Sequence, residues 1–396
     1  VWVGDSGVKA DGDRTSIYYA VYSSGHWSSP AIIHESGTYN DHPVLCTDGQ
    51  TVYAVWMRAD KTLGGMEADE ALRHMDLVCS SFDGTVWSTP VLLSQPGNQR
   101  TETDYVLTAA AGTVSAAWIE NSQNDLLMAG GRNSIHMRSL VNGAWTPESM
   151  VYETGDVITG LNAYQGDGVQ LVFSVTSDDT ATTYLRAADG TLSAMEGAGR
   201  EAKLVGGQLY ELRDTALYCG GQPTGLEGLT NFEIVTDGRQ TVALTLLPSG
   251  FTCELFGSYY DAGSGAWGAL VQLTGYGKYI RNYSAVLDES GKIVAALNLV
   301  SVHADAQQVY DNRSAQLVVL DDCGYNDLVV SDWLSYDDAR VAPGALLPIS
   351  FQITNNSAET LQNVHISANG QTWELSCGAA PGETMRLTVD YRLPAN

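Results

Sequence analysis

The sequence predicts an all-β protein, a β-propeller of about seven blades followed by a small C-terminal β-sandwich. Three observations carry that expectation. Short strand-like runs joined by Asp-Gly or Asn-Gly turns recur along the chain in sets of four. A tryptophan stands at one of two fixed places in most copies. Helical periodicity is confined to a few short segments, while 41 glycines and 20 tyrosines suit many tight turns and broad strands.

The reference copy runs from His42 to Leu93. It reads HPVLCTDGQ, TVYAVWM, a polar insert, then DLVCSSFDGTVWSTPVLL. Asp48-Gly49 joins its first two strands and Asp83-Gly84 its last two. An earlier, shorter copy comprises VWV at 1–3 and SIYYAVYSSGHWSSPAII at 16–33. VWV matches the middle of the second-strand run VYAVWM, so the chain is expected to open inside a blade, as part of a longer protein. The third blade takes 105–120 and 134–151, the fourth 161–175 and 182–195. A compressed fifth blade falls near 201–229. The sixth takes 231–247 and 253–273, and the seventh 283–300 and 314–322.

Trp2, Trp56 and Trp118 end second strands, and Trp27, Trp87, Trp145 and Trp267 open fourth strands. A large aromatic at one place per repeat is expected to pack between neighbouring blades, which cannot bury their faces alone. Near Gly324 the pattern changes to short alternating strands punctuated by Pro343-Gly344, Asn355-Asn356-Ser357, Asn369-Gly370 and Pro381-Gly382. The expected division is therefore 1–323 for the propeller, its first blade incomplete, and 324–396 for a sandwich. The sandwich core is expected to include Leu328, Val330, Ile349, Phe351, Ile353, Val364, Ile366 and Val389.

Net charge is −26 and the chain has no Lys/Arg-rich run. Nucleic acid and anionic membrane surfaces are poor partners for such a chain, because both select positive charge. No apolar run approaches the ~20 residues that a membrane helix needs. The six cysteines show no CxxC pairing and no histidine at zinc-like spacing, so no metal site is expected from them. Buried free thiols are the expectation. Asp11-Gly12-Asp13 offers two carboxylates in a loop, which leaves a structural calcium ion as the one cofactor open.

In a propeller, connections between second and third strands share a face with connections between blades. Here they are long at 4–15, 58–75, 120–133 and 301–313, and short in the fourth and sixth blades. Long connections on a rigid scaffold are where function concentrates. The insert at 58–75 is the richest, with Glu70 and His74 at helical i, i+4 spacing, either acid/base equipment or a solvated ion-pair face. The candidate ligand-binding residues on this face are Arg58, Glu67, Arg73, His74, Arg100, Asp104, Arg132, Tyr279, Arg281 and Tyr283. Mixtures of tyrosine and arginine suit sugar stacking and carboxylate recognition. No catalytic residue is identified.

Two resemblances add to this reading. Ser81-Phe82-Asp83-Gly84-Thr85-Val86-Trp87 resembles the Ser-x-Asp-x-Gly-x-x-Trp turn of sialidase-like BNR repeats, one residue short between Asp and Gly. The other blades keep only Gly and Trp, and the hallmark is structural rather than catalytic. Residues 325–396, with DLVV, ITNNS and APGE, are similar to the CARDB class of bacterial Ig-like modules. That resemblance implies an Ig-like β-sandwich in an extracellular or cell-surface bacterial setting, as spacer or adhesive accessory. The function expected is binding of a glycan or a surface protein. A glycoside hydrolase or lyase using carboxylates on the long-loop face and a structural spacer are the alternatives. The sequence leaves the oligomeric state open.

Overall fold

The computed structural model describes residues 1–23, 26–94, 104–110, 112–125, 127–178, 180–195, 201–249, 252–274, 279–288, 290–304, 309–320, 328–333, 344, 346–355, 360–368, 371–380 and 383–392. The protein is all-β, built from successive antiparallel sheets of the propeller type. It divides into two compact units, Val1–Glu211 and Leu212–Asn396.

In the first unit the sheets follow the repeats. The first holds Trp2–Asp5, Thr15–Tyr19 and Ala31–Ile32. The second holds Asn40–Thr47, Val52–Ala59, Met75–Phe82 and Val91–Leu92. The third holds Tyr105–Ala110, Thr113–Asn121, Asn133–Val141 and Ala144–Trp145, with Ser149–Thr154 also on Asn133–Val141. The fourth runs Val157–Gln165, Val169–Ser177, Thr180–Arg186, Leu192–Met195. The compressed fifth repeat, whose residues fall on both sides of the division after Glu211, is a four-stranded sheet, Glu201–Val205, Gln208–Arg213, Ala216–Cys219 and Gln222–Pro223.

The period of two explains how these sheets pack. Strand Thr113–Asn121 sends Val114, Ala116 and Trp118 into a core shared with Val55, Met57, Met75 and Leu77 of the second sheet. Its alternate residues, Ala117 and Ile119, enter a core with Ile158, Leu171 and Phe173 of the fourth. Strand Val52–Ala59 does the same, turning Ala54 and Trp56 toward Ile17 of the first sheet and Ile33 just beyond it. A strand flanked by a sheet on each face is buried on both, hence its near-continuous apolar run.

Trp56 and Trp118 are fully buried. Trp87, Trp145 and Trp267 are only half-buried, short of the expected depth. They sit on two-residue outer strands or an isolated bridge, where one ring face stays open. Trp87 packs against Phe82 and Tyr19.

The Asp-Gly turns close as their sequence requires. Asp48 accepts the amides of Gln50 and Thr51 at 3.0 and 2.8 Å, and Asp237 those of Arg239 and Gln240 at 2.8 and 2.7 Å. Gly49 and Gly238 have φ of 91° and 83°, the left-handed region that glycine takes without strain. Such amides hold the Asp48, Asp83, Asp189 and Asp237 carboxyls below the usual range. Cys46, Cys79, Cys219 and Cys253 are free thiols. Burial pushes Cys79 up to about 12, so it stays a neutral, inert group at ordinary pH.

In the second unit one sheet joins Glu233–Thr236, Thr241–Ser249, Thr252–Asp261, Tyr279–Leu287, Ile293–Ala304 and Val309–Leu320. The sixth and seventh repeats are thus continuous rather than separate, linked by the parallel pair Cys253 and Tyr279. The expected long connection at 301–313 is corrected as well. Ser301 pairs with Asn312 and Ala304 with Val309, so the hairpin strands extend through most of it. The C-terminal segment forms two sheets, Leu328–Trp333 with Leu346–Asn355 and Thr384–Arg392, and Leu361–Ala368 with Gln371–Ala379. Ile353, Val364 and Val389 of the expected core are buried together, with Trp373, Leu375, Met385 and Leu387 around them. The side chains of Leu328, Val330, Ile349, Phe351 and Ile366 lie outside the described ones.

Candidate functional site

The long connections of the first three sheets are ordered by bonds to one another, to neighbouring segments and within themselves. In connection 6–14, Lys9 Nζ donates to the carbonyls of Thr15 and Thr38 at 3.0 and 2.8 Å and pairs with Glu35 at 3.2 Å. Asp13 is buried, and its Oδ1 accepts the Leu63 amide at 3.0 Å. Gly12 lies so close to Gly64 that a Cβ on Gly12 would stand 2.7 Å from the Gly64 backbone. Connections 6–14 and 60–74 therefore form one continuous surface. Connection 122–132 is closed internally. Asp125 accepts the amides of Leu127 and Gly130 at 3.0 and 2.8 Å, and Asn121 Nδ2 donates to Gly130 O and Asn133 Oδ1, both at 2.7 Å.

Asp11 and Asp13, the pair considered for calcium, turn to different partners. Asp11 is solvated beside Arg14, whereas Asp13 points inward with Oδ2 unpartnered.

The expected site residues fall into three groups. Arg58, Glu67, Arg73 and His74 lie together on or beside connection 60–74. Arg58 is half-buried on its strand between Asn40 and Asp76. Glu67 precedes the five-residue helix Ala68–Leu72 and Arg73 follows it, both exposed. His74 does not pair with Glu70. The helix ends before it, and His74 Nδ1 lies 3.0 Å from Asp60 Oδ1. The acid/base pairing of Glu70 with His74 is corrected accordingly.

Asp104 and Arg132 serve neighbouring strands. Asp104 Oδ2 accepts the amides of Gly160 and Leu161 at 2.8 and 3.4 Å, tying the third sheet to the fourth. Arg132 pairs with Glu153 at 2.7 Å. Tyr279, Arg281 and Tyr283 belong to the second unit, on Tyr279–Leu287, with Tyr283 packed on that unit's core. Arg100 lies outside the described residues.

The structure also gathers three residues that sequence reasoning passed over as a set. Glu120 follows Trp118 by two on one strand, so both face the same way, and Trp118 stands opposite His136. A register shift between Ile135 and His136, against strand Ser149–Thr154, aims His136 toward Glu148. The imidazole is stacked near Trp118 with ring centroids 6.2 Å apart. His136 Nδ1 is 2.8 Å from Glu148 Oε1, and Nε2 is 3.8 Å from Glu120 Oε2 and 2.9 Å from Ser134 Oγ. Trp118 Nε1 donates to Glu120 Oε1 at 2.6 Å. The three side chains are 12–15% exposed, enclosed yet reachable from solvent. A histidine with two carboxylates within 4.8 Å is a donor set able to hold a cation.

No protein-family model matches the sequence, and no curated protein matches it. Solved structures similar to it include a Trypanosoma rangeli sialidase, 11% identical, covering 92% of this chain and 71% of that one, with a TM-score of 0.43. A subtype N11 neuraminidase-like protein of A/flat-faced bat/Peru/033/2010 (H18N11) is 11% identical over 70% of this chain and 86% of that one, with a TM-score of 0.33. TolB from Acinetobacter baumannii is 11% identical over 87% and 81%, with a TM-score of 0.27.

Proposed function

We propose that the protein is an extracellular or cell-surface bacterial binding protein that recognises a glycan or a surface protein through the long connections of its first three sheets. The observation that carries this reading is where apolar surface is left open. Val8 and Leu127, 85% and 78% exposed, are the most exposed large hydrophobics among the described residues, and both stand on these connections. Asp125 holds the Leu127 amide, and Val8 stands in a connection anchored by Lys9 and Asp13, so the apolar tips are presented on a fixed frame. Glu67, Arg73 and His74 on connection 60–74 supply charge and hydrogen bonds. In this reading residues 1–323 are the propeller, and residues 324–396 are a CARDB-like Ig module that spaces or anchors it.

The test is a glycan array and a panel of purified surface proteins, probed with the full chain and with a V8S/L127S/R73A variant. All three side chains are exposed, so the melting temperature should hold while the binding signal falls at least tenfold. Undiminished binding by the variant would overturn the assignment of the face. Release of free sugar from a bound glycan would overturn binding in favour of glycoside hydrolysis.

A further inference from the structure

We propose that Glu120, His136 and Glu148 form a binding site for one divalent transition-metal ion, of which zinc is the best fit. The donor set selects the class of ion. Calcium and magnesium take all-oxygen shells, whereas one imidazole with two carboxylates suits zinc, cobalt or nickel.

The spacing is close. Zinc holds nitrogen and oxygen donors at about 2.0–2.2 Å, so two donors of a tetrahedral shell stand about 3.4 Å apart. His136 Nδ1 and Glu148 Oε1 are 2.8 Å apart. Their approach is off the line of a ring N–H, and Nδ1 makes no hydrogen bond. Glu120 brings a carboxylate oxygen within 4.8 Å of the other donors.

The surroundings fix the ligands as a metal would require. Ser134 Oγ is 2.9 Å from His136 Nε2, and in the tautomer with the proton on Nε2 it accepts that proton and leaves the lone pair on Nδ1. Trp118 Nε1 holds Glu120 Oε1, while Oε2 stays on the His136 side. Glu148 Oε2 is buried with no hydrogen bond, and His136 Nδ1 makes none although Glu148 Oε1 stands 2.8 Å away. Two such atoms on contacting side chains are costly unless something binds them, and a cation satisfies both together. Three protein ligands would leave one coordination position for water or a ligand group. The site lies at the foot of connection 122–132, and the inference does not depend on the proposed binding function.

The experiment uses the full chain, untagged and stripped with chelator. Calorimetric titration with zinc chloride should give one equivalent, and a hundredfold excess of magnesium should not compete. Cobalt should quench the part of the tryptophan fluorescence that Trp118 contributes. H136Q and E148Q should each weaken zinc binding at least tenfold. S134A, which keeps every ligand, should weaken it roughly tenfold or more. Far-UV dichroism and melting check that each variant is folded, and S134A keeps the test open if the ligand variants are not. Absence of zinc binding by the native chain would overturn the proposal. Binding of equal strength in folded H136Q or E148Q, as free thiols elsewhere would give, would overturn it too.

Discussion

Replacing Asn40 with alanine should cost about 2–4 kcal/mol, because one buried indole then loses its acceptor. Asn40 and Trp56 are each 1% exposed, and Trp56 Nε1 donates to Asn40 Oδ1 at 2.9 Å. Water cannot replace that acceptor without opening the packing of the first two sheets. A buried N–H left unmade costs roughly 1–3 kcal/mol, and the small void left by the amide adds to it. The other side of the amide is less demanding. Asn40 Nδ2 donates to Thr38 O at 2.7 Å, but that carbonyl also accepts Lys9 Nζ at 2.8 Å. Trp56→Phe removes the same bond from its other end, so N40A/W56F should be more stable than the sum of the single losses implies, by about 0.5–3 kcal/mol. The assay is thermal and urea unfolding followed by far-UV dichroism. At about 2–4 °C per kcal/mol for a body of this size, N40A should melt roughly 4–16 °C lower. An N40A protein within about 0.5 kcal/mol of native, or strictly additive losses in the double variant, would refute the reasoning.

Two further predictions concern turns and close approaches. The carboxyls of Asp48, Asp83, Asp189, Asp237, Asp261 and Asp288 are all held below the usual range, mainly by turn amides and serine hydroxyls. Their stabilisation is fully present above the unfolded value of about 3.9 and is lost as pH falls through the lower folded values. The melting temperature should therefore drop between pH 5 and 3, less steeply in D48N/D237N; a rise over that range would contradict the assignment. Gly12→Ala should destabilise by about 1–3 kcal/mol through its contact with the Gly64 backbone. Gly64→Ala, whose own Cβ meets nothing within 4 Å, should be nearly neutral, and equal urea midpoints for the two would refute the close approach.

The blades were legible because their signals are local. Asp48-Gly49 and Asp237-Gly238 fix a turn within four residues, and flanking β-rich runs then have one way to pair. Polar residues such as Ser301, His303 and Asn312 carry the pattern of a loop, while backbone pairing of 301–304 with 309–312 continues regardless of side-chain polarity. Residue types on the candidate face were legible, but their partners were not. Asp104 serves amides 56 and 57 residues away, and no local pattern announces that. Glu120, His136 and Glu148 were recoverable in principle. Glu120 shares its parity with Trp118, and the register sets Trp118 opposite His136, but register is a property of two strands together.

A net charge of −26 invites the idea that acidity itself marks a ligand surface. The structure argues otherwise for the turn aspartates. Asp48, Asp83, Asp189 and Asp237 accept amides within their own turns, so their oxygens are already committed to holding the chain. The same turn chemistry recurs in unrelated repeats, which is what a structural role requires and a binding role does not. Glu148 is the contrast. One of its oxygens is buried and unpartnered, and nothing in the local turn uses it. A carboxylate the fold does not employ, placed 2.8 Å from an imidazole nitrogen in a similar condition, separates function from architecture better than charge does. By that criterion the short-turn ends of these sheets hold the fold together, and the ends carrying connections 6–14, 60–74 and 122–132 are where ligands should be sought.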